Sequence, residues 1–145
     1  MTRFLLDTAV FVHASGRPDP NRDPCRNVLN IAAHVDASAH VSVELVQELM
    51  HVCSRRGEPR PHVLSRASHV ATICELHEFE LRDLALALKL FERFLRLDMR
   101  DAVHAATAMN RGIDTIVTTD RDFDAIPGLR RVDPADESAV AELVS

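Results

Sequence analysis

Four carboxylates in this sequence occupy positions from which they could act together. Asp7 follows the apolar run Phe4–Leu6, and Asp120 follows the segment Ile116–Thr119. Both acids therefore fall where a buried strand would pass into a loop, and in open parallel sheets ligands bind at that edge. The other two acids lie between them along the chain, in segments with helical patterns. We expect folding to bring all four to one place: Asp7, Glu48, Asp101 and Asp120.

The chemistry open to such a group follows from its charge. Carboxylates in close contact repel one another by about 4 kcal/mol per pair at an effective dielectric near 20, and a divalent cation offsets that repulsion. Oxygen ligands suit Mg²⁺ or Mn²⁺, and zinc is disfavoured because no cluster of His or Cys has ligand spacing along the chain. Centres of this kind hydrolyse phosphodiesters, most fully with two ions about 3.5 to 4 Å apart. These residue types therefore predict a metal-dependent phosphodiesterase.

Each acid also has a purely structural interpretation. Asp7 could cap the turn after its strand, and Asp101 could favour the positive end of a helix dipole. However, Asp101 shares a helical face with Ala105 and Ala108, and such small side chains let a neighbouring element approach and desolvate the carboxylate. Glu48 borders the apolar stripe of its helix, although a solvated glutamate would also fit there. The acidic centre is therefore a hypothesis that the four acids come together on folding, and none of these residues supports it alone.

The length, composition and charge of the chain exclude several classes of protein. A chain of 145 residues with 46% apolar content has a one-domain length and can bury a core. It has no run of about 18 apolar residues that could span a membrane and no apolar leader, so we expect a cytoplasmic protein without membrane contact. A net charge of -5 argues against holding nucleic acid by bulk electrostatics. Three widely spaced cysteines fit neither a disulfide framework nor a metal pair.

Short apolar runs alternate with amphipathic segments along the chain. This order predicts an α/β fold, a three-layer α/β/α sandwich around a short parallel sheet of four to five strands, with residues 1–145 as a single domain. Asp23 and Asp98 are predicted N-caps, and Gly57 and Gly112 predicted helix ends. The predicted strands are Phe4–Asp7, His40–Val43, Glu78–Leu81, Ile113–Thr118 and Leu129–Val132. The predicted helices are Pro24–His34, Val43–Arg56, His62–Leu76, Arg82–Leu95 and Met99–Arg111.

The C-terminal half carries a specific set of motifs. It contains Asp101-Ala102-Val103-His104-Ala105-Ala106-Thr107-Ala108, then Val117-Thr118-Thr119-Asp120-Arg121-Asp122-Phe123, then Ile126-Pro127-Gly128-Leu129-Arg130. Together with Leu6-Asp7-Thr8 and Val46-Gln47-Glu48-Leu49, these motifs make the whole chain resemble PIN-domain ribonucleases, in particular the VapC toxins of bacterial type II toxin-antitoxin modules. The family often has asparagine where Ala9 or Thr119 stands here, a departure that leaves the carboxylates intact.

The resemblance implies an endoribonuclease that depends on Mg²⁺ or Mn²⁺ and cleaves RNA. It implies a VapB antitoxin that covers the active groove, often in complexes built on toxin homodimers. The same resemblance makes Asp122 an assisting ligand and Thr118 a residue that orients the acidic centre. The metal ligands that it implies, directly or through water, are Asp7, Glu48, Asp101 and Asp120. Among these we expect Glu48 to position or deprotonate the attacking water.

Residues outside the acids are open to more than one interpretation. Arg55 and Arg56 lie about two turns beyond Glu48 and could meet RNA phosphates, although a solvated basic face or an antitoxin contact explains them equally well. His104, one turn past Asp101, is interpreted as an interior side chain. The other seven of the eight histidines show no common geometry and are interpreted as structural.

Other functions also have to be weighed. A receiver-type signalling domain gathers acids around Mg²⁺, but it needs a lysine late in the sheet, and Lys89 lies in a predicted helix. A haloacid-dehalogenase-type phosphatase needs an aspartate two residues after its nucleophile, where Ala9 follows Asp7. A non-catalytic PIN module is disfavoured by the presence of all four acids. A housekeeping RNA-processing nuclease is not distinguished from a toxin by these residues.

Overall fold

A parallel sheet lies at the centre of the protein. A computed structural model describes residues 2–145. The strands are β1 (Arg3–Leu6), β2 (Ser38–Ser42), β3 (Glu75–His77), β4 (Thr115–Val117) and β5 (Arg130–Val132). They pair in the order β3-β2-β1-β4-β5, and every pairing is parallel. The chain therefore crosses from one side of β1 to the other between β3 and β4, which is where a ligand site is expected in an open α/β sheet.

Helices cover both faces of this sheet. They are α1 (Thr8–Ser15), α2 (Arg22–Ala32), α3 (Val43–Arg55), α4 (Arg60–Ile73), α5 (Leu81–Arg93), α6 (Met99–Asn110) and α7 (Glu137–Ala141). Short 3-10 helices follow at Arg121–Ala125 and Glu142–Val144. The apolar side chains of α1 to α4 and α7 form one core, and those of α5 and α6 form the other. The predicted three-layer α/β/α architecture is confirmed.

The central strand β1 shows why the runs are short and wholly apolar. Phe4 and Leu6 point into the core under α1 to α4, and Leu5 points into the core under α5 and α6. All three side chains are fully buried. A strand covered on both faces needs apolar residues at every position, whereas a half-exposed strand would alternate.

Pairing in register brings two strand ends to the same edge. Leu6 pairs with Val117, so the residues that follow them, Asp7 and Thr118, lie side by side. The Asp7 amide donates to the Val117 carbonyl at 3.2 Å, which extends the contact by one residue. The starts of α1 and α3 and the loop after β4 therefore meet at the carboxyl edge of the sheet.

Most elements are of the predicted type, but the prediction for the region around β3 is wrong. The helix predicted at His62–Leu76 ends at Ile73, and the strand predicted at Glu78–Leu81 is β3 at Glu75–His77. Leu76 belongs to this strand because it pairs with Val41 of β2. That pairing is a tertiary contact, and the local pattern does not contain it.

Among the residues predicted at helix ends, Asp98 and Gly112 are confirmed and Asp23 is wrong. Asp98 caps α6, accepting a hydrogen bond from the Asp101 amide at 2.8 Å, as predicted. Gly112 follows α6 with a φ of 69°, which favours glycine. Asp23 is not an N-cap, because α2 begins at Arg22, two residues before the predicted start at Pro24, and Asn21 occupies the cap position. Among the helices of residues 2–145, none combines the length and apolar character needed to cross a membrane.

Candidate metal centre and active site

Three aspartates form the most compact acidic group in the protein. Asp101 lies in the first turn of α6, while Asp120 and Asp122 lie in the loop and 3-10 helix after β4. One carboxylate oxygen from each lies within 4.8 Å of the others. Asp120 also caps its 3-10 helix, because its Oδ1 accepts a hydrogen bond from the Asp122 amide at 2.9 Å. The fold thus brings together acids that are about twenty residues apart in sequence.

Asp101 is strongly affected by these surroundings. Burial raises its pKa from an ordinary 3.8 to about 7, and the negative charges of Asp98, Asp7 and Asp120 add to the effect. A carboxyl group with that pKa is partly protonated at neutral pH. The cluster of three aspartates therefore lacks a positive charge that would keep all of its members ionised. Half-buried oxygen donors that repel one another fit a hard divalent cation, and the donor set contains no nitrogen or sulfur. This group therefore suits a metal ion.

Asp7 is linked to the same group through Thr118. The Asp7 Oδ1 atom accepts a hydrogen bond from the Thr8 amide at 2.8 Å, so this carboxylate caps α1 as well. Its Oδ2 atom accepts a hydrogen bond from Thr118 Oγ1 at 2.7 Å, and Thr118 Oγ1 in turn accepts one from the Asp120 amide at 3.0 Å. Thr118 is fully buried. One hydroxyl therefore holds both Asp7 and the backbone at Asp120 in place.

Burial also raises the pKa of Asp7. The positive influence of His104 and the hydrogen bond from Thr118 partly oppose this rise, and the nearby charge of Glu48 adds to it. The charge of Asp7 in turn adds to the raised pKa of Asp101. Asp7 is thus linked to Asp120 through Thr118 and to Glu48 through His104.

Glu48 meets Asp7 through a separate set of contacts. Its Oε2 atom accepts a hydrogen bond from Thr8 Oγ1 at 2.9 Å and lies 3.3 Å from His104 Nε2. Its Oε1 atom lies 3.5 Å from the Arg100 guanidinium. Burial acts to raise the pKa of Glu48, but these hydrogen bonds and the charges of His104 and Arg100 outweigh it and hold the pKa below its ordinary value. Glu48 is therefore kept ionised.

His104 is interior, as predicted, but it also contacts two of the predicted acids. Its side chain is 2% exposed, and Nε2 lies 3.2 Å from Thr8 Oγ1 and 3.9 Å from Asp7 Oδ1. Burial acts to lower the pKa of His104, but the hydrogen bond to Glu48 and the charges of Asp7, Glu48 and Asp101 raise it overall. Among residues 2–145, no hydrogen-bond partner reaches the buried His104 Nδ1 atom. His104 therefore positions Glu48 from inside the protein.

Sequence reasoning did not single out Thr8 or Arg100 as site residues. Thr8 follows Asp7 directly, and only the fold shows that its hydroxyl reaches Glu48. Arg100 lies four residues before His104 on α6, so the two share one helical face. That spacing places a cation and an imidazole beside Asp101 on one face of α6, but it does not specify that both meet Glu48.

The predicted substrate arginines lie away from the acids. Arg56 donates to the Val12 carbonyl and to Ser15 Oγ, both at 3.3 Å, at the C-terminal end of α1. The acids lie at the opposite end of this helix, roughly 12 Å away for its eight residues. Arg55 is exposed at the end of α3. A role for either in RNA binding stays a prediction.

An open groove runs beside Glu48. It has a volume of about 360 Å³ and lies between α3 and α6. Its walls include Glu48 and Arg100, which pair with each other, so a substrate in the groove would meet charges of both signs. The lining residues are Glu44, Gln47, Glu48, His51, Arg100, Val103 and His104.

Proteins with similar sequences identify the family of this chain. Residues 4–129 match the model of the family described as PIN domain. Ribonuclease VapC7 of Mycobacterium tuberculosis is 31% identical over 120 residues, which cover 82% of this chain and 83% of that protein. Ribonuclease VapC23 of the same species is 34% identical over 117 residues, which cover 80% of this chain and 91% of that protein.

Solved structures with the same fold include toxin-antitoxin complexes. The structure of VapBC2 from Rickettsia felis, bound to a DNA fragment from their promoter, matches with a TM-score of 0.70 at 20% identity and covers 91% of this chain and 98% of that one. Mycobacterium tuberculosis VapC20, a sarcin-ricin loop cleaving toxin, matches with a TM-score of 0.68 at 16% identity and covers 88% of this chain and 98% of that one. The family match and the two ribonucleases together mean that this chain belongs to the PIN-domain family and, within it, to the VapC ribonucleases.

Proposed function

We propose that this VapC ribonuclease is the toxin of a toxin-antitoxin pair and cuts RNA internally at a centre built from Asp7, Glu48, Asp101 and Asp120. The observation that carries this proposal is the approach of Asp101, Asp120 and Asp122 oxygens within 4.8 Å of one another beside the buried Asp7. Residues 1–145 would act as one PIN domain.

The metal that we propose is Mg²⁺, with Mn²⁺ as a substitute. Asp101, Asp120 and Asp7 would hold it, and Asp122 would assist, because these side chains offer only oxygen donors. When bound, such an ion polarises a phosphate and makes a water molecule at neutral pH a better nucleophile. Partial protonation of Asp101 in the metal-free protein means that metal uptake would compete with a proton at this carboxyl.

The remaining residues of the centre have distinct proposed roles. Glu48 stays ionised through its contacts with Thr8, His104 and Arg100, so its carboxylate can accept a hydrogen bond from the attacking water. Thr118 would orient the Asp7 carboxylate and the backbone at Asp120 through its hydroxyl. Both roles depend on side-chain positions that the fold fixes before the substrate binds. Such prior positioning of catalytic groups increases the rate.

The proposed substrate is RNA held by local charge. The protein has a net charge of -5, so its surface as a whole does not attract a polyanion. Arg100 is the cation next to the acids, and its side chain is 70% exposed in the wall of the groove. It can therefore reach a phosphate while it stays close to Glu48. Arg55 and Arg56 would contact RNA further from the scissile bond or contact the antitoxin.

The proposed partner is an antitoxin of the VapB type that covers the groove. Several proteins with this fold were solved as complexes of a toxin with its antitoxin, among them one from Klebsiella pneumoniae. We further propose that the toxin forms a homodimer and acts in the cytoplasm, where its RNA substrates are.

The test uses two aspartates of the same loop. Wild type, Asp120→Asn and Asp124→Asn are each expressed without antitoxin, growth is followed, and cleaved RNA ends are mapped. Asp124 pairs with Arg131 on the surface and lies outside the acidic group, so it is the matched control. We expect wild type and Asp124→Asn to cut RNA and arrest growth, and Asp120→Asn to do neither. Retained cleavage by Asp120→Asn would contradict the proposed centre.

A further inference from the structure

Two histidines and a glutamate meet on the adjacent strands β2 and β3. His40 pairs with Glu75 in the sheet, and Ser42 pairs with His77, so all three side chains point to the face covered by α5 and α6. His40 Nδ1 lies 2.8 Å from His77 Nε2 and 3.4 Å from Glu75 Oε2. The expectation that these histidines share no geometry is therefore wrong, because strand pairing brings together residues that are 35 and 37 positions apart.

We propose that His40, Glu75 and His77 form a second metal site, separate from the acidic centre, which binds Zn²⁺ or a similar transition-metal ion and fastens β3 to β2. One donor atom from each residue lies within 4.8 Å of the other two. Two imidazole nitrogens and one carboxylate oxygen are a donor set that zinc accepts, with a fourth position left for water. The oxygen-only donors of the acidic centre suit a different class of ion.

The distances fit this ion after a small change. Ligand atoms of a tetrahedral zinc site, each about 2.0 to 2.1 Å from the metal, lie roughly 3.3 Å apart. His40 and Glu75 already have this separation, at 3.4 Å. The two histidine nitrogens, at 2.8 Å, are close enough to share a proton and must move apart by roughly 0.5 Å to take up the metal. His77 is only half-buried at the end of its strand, so its ring has room to move.

Ser38 holds the ring of His40 in a suitable orientation. Its Oγ atom lies 2.9 Å from His40 Nε2, the nitrogen that faces away from the cluster. Metal binding at Nδ1 requires the proton to sit on Nε2, and the Ser38 hydroxyl can accept a hydrogen bond from it. A polar partner on the second ring nitrogen is the usual arrangement for histidines that bind metals.

The local charges permit a cation at this place. Burial lowers the pKa of both His40 and His77, which favours the neutral rings that a metal ion needs. Arg111 is the nearby positive charge that contributes most to the lowered pKa of His77. Its guanidinium is paired with the Asp83 carboxylate through two contacts of 2.9 Å, which offsets much of this repulsion.

A metal here would stabilise one edge of the sheet. β3 has three residues, lies at an edge of the sheet and pairs with β2. Glu75 is 68% exposed, so an ion can enter from solvent. Such a link between two strands would act mainly on stability, and the activity of the acidic centre is a separate property.

The experiment titrates the full chain with Co²⁺ in the presence of excess Mg²⁺ and follows the visible absorption of a tetrahedral cobalt site. We expect roughly one Co²⁺ per chain in such a site for wild type, Asp120→Asn and the control His69→Ala, which changes an exposed histidine on α4. His77→Ala and Glu75→Gln should lose the signal, and Ser38→Ala should bind roughly 10- to 100-fold more weakly. Zn²⁺ should raise the thermal midpoint of wild type and His69→Ala but not of His77→Ala.

Two results would overturn this second site. One is equal cobalt binding by wild type, His77→Ala and Glu75→Gln, and the other is a signal that disappears in Asp120→Asn while it persists in His77→Ala. Glu75→Gln keeps the size of an exposed side chain, so it is informative even if His77→Ala folds poorly. Because Asp120→Asn is included, failure of this site is distinguished from failure of the nuclease centre.

Discussion

Asp101 is the residue that shows most clearly what the acidic centre lacks without a cation. Its carboxyl group is half-buried next to three other acids, and its pKa of about 7 reflects the free energy needed to keep it ionised there. A metal ion would remove that cost, whereas a neutral side chain would remove both the cost and the ligand. Stability and activity should therefore respond to substitution in opposite directions.

For Asp101→Asn we expect loss of RNA cleavage together with a metal-free protein that is more stable than wild type by about 1 kcal/mol, since one repulsive charge is gone. The free energy of unfolding is measured with denaturant in EDTA. Mg²⁺ should stabilise wild type much more than the variant. The control is Asp23→Asn, because Asp23 is an exposed aspartate in the first turn of α2, as Asp101 is in the first turn of α6, and it lies outside the acidic group. A variant less stable than wild type in EDTA would argue against mutual repulsion.

A second prediction at this scale concerns the Thr118 hydroxyl. Thr118→Val keeps the size of the side chain but removes the hydrogen bonds that orient Asp7 and the Asp120 backbone. We expect kcat to fall roughly 10- to 100-fold and stability to fall by about 1 to 3 kcal/mol, since buried polar atoms lose a partner. Thr107→Val is the control, because the hydroxyl of this buried threonine donates to the Val103 carbonyl of its own helix. Equal kcat values for the two variants would contradict an orienting role.

Among the elements, α6 does most to build the centre. It carries Asp101, Arg100 and His104 on neighbouring positions, and its inner face consists of fully buried alanines that allow close packing against the sheet. Its C-terminal end is fixed to α5, because Arg111 pairs with the buried Asp83 through two contacts of 2.9 Å. The position of Asp101 therefore depends on how α5 and α6 pack.

This ion pair predicts a specific dependence on pH. Burial acts to raise the pKa of Asp83, but hydrogen bonds from Arg111, Asn110 and the Glu80 amide outweigh it and lower the pKa from 3.8 to about 2. A carboxyl group with a lowered pKa stabilises the fold above its unfolded-state pKa, and that stability is lost as the pH falls from 3.8 towards 2.

The measurement is the free energy of unfolding between pH 7 and pH 2 for wild type and Asp83→Asn. We expect the variant to be about 3 kcal/mol less stable at pH 7, because Arg111 loses its partner, and to lose less stability than wild type below pH 4. Glu80→Gln is the control, since Glu80 lies half-exposed and farther from Arg111, at 3.5 Å. Parallel pH profiles for wild type and Asp83→Asn would refute this account of the pair.

For the molecule as a whole, the most prominent surface feature is a row of exposed apolar side chains along α5. The row follows helical spacing on the outer side of the layer formed by α5 and α6, opposite the face that packs on the sheet. Single exposed leucines are common, but a continuous row on one helix face is typical of an interface. Its members on α5 are Leu81, Leu84, Leu88 and Phe91, and the exposed Leu95 follows just after the helix.

We predict that this row joins two copies of the chain, since a two-fold axis lets one helix face pack against itself. Leu88→Glu should convert the dimer into a monomer, measured as molar mass by light scattering. Lys89→Glu introduces the same side chain at the next exposed position of α5, outside the row, and should stay dimeric. A Leu88→Glu protein with the mass of a dimer would show that the row has another role.

Some features of this protein could be predicted without its three-dimensional structure, because they depend on local pattern. Continuous apolar runs predicted the buried strands, and the positions of Asp7 and Asp120 after two of them predicted that both acids reach the same edge of the sheet. The N-cap at Asp98 and the helix end at Gly112 follow from the chemistry of a few adjacent residues. The motifs that match VapC ribonucleases are likewise short and contiguous.

Other features were decided only by the tertiary structure, because they join side chains that are distant in sequence. The contacts of Glu48 with Thr8 and His104 bridge 40 and 56 residues, and no local pattern specifies them. The position of β3 depends on its pairing with β2, which also creates the cluster of His40, Glu75 and His77. Local sequence determines which residues can form a strand or a helix, but the packing of these elements determines which side chains finally meet.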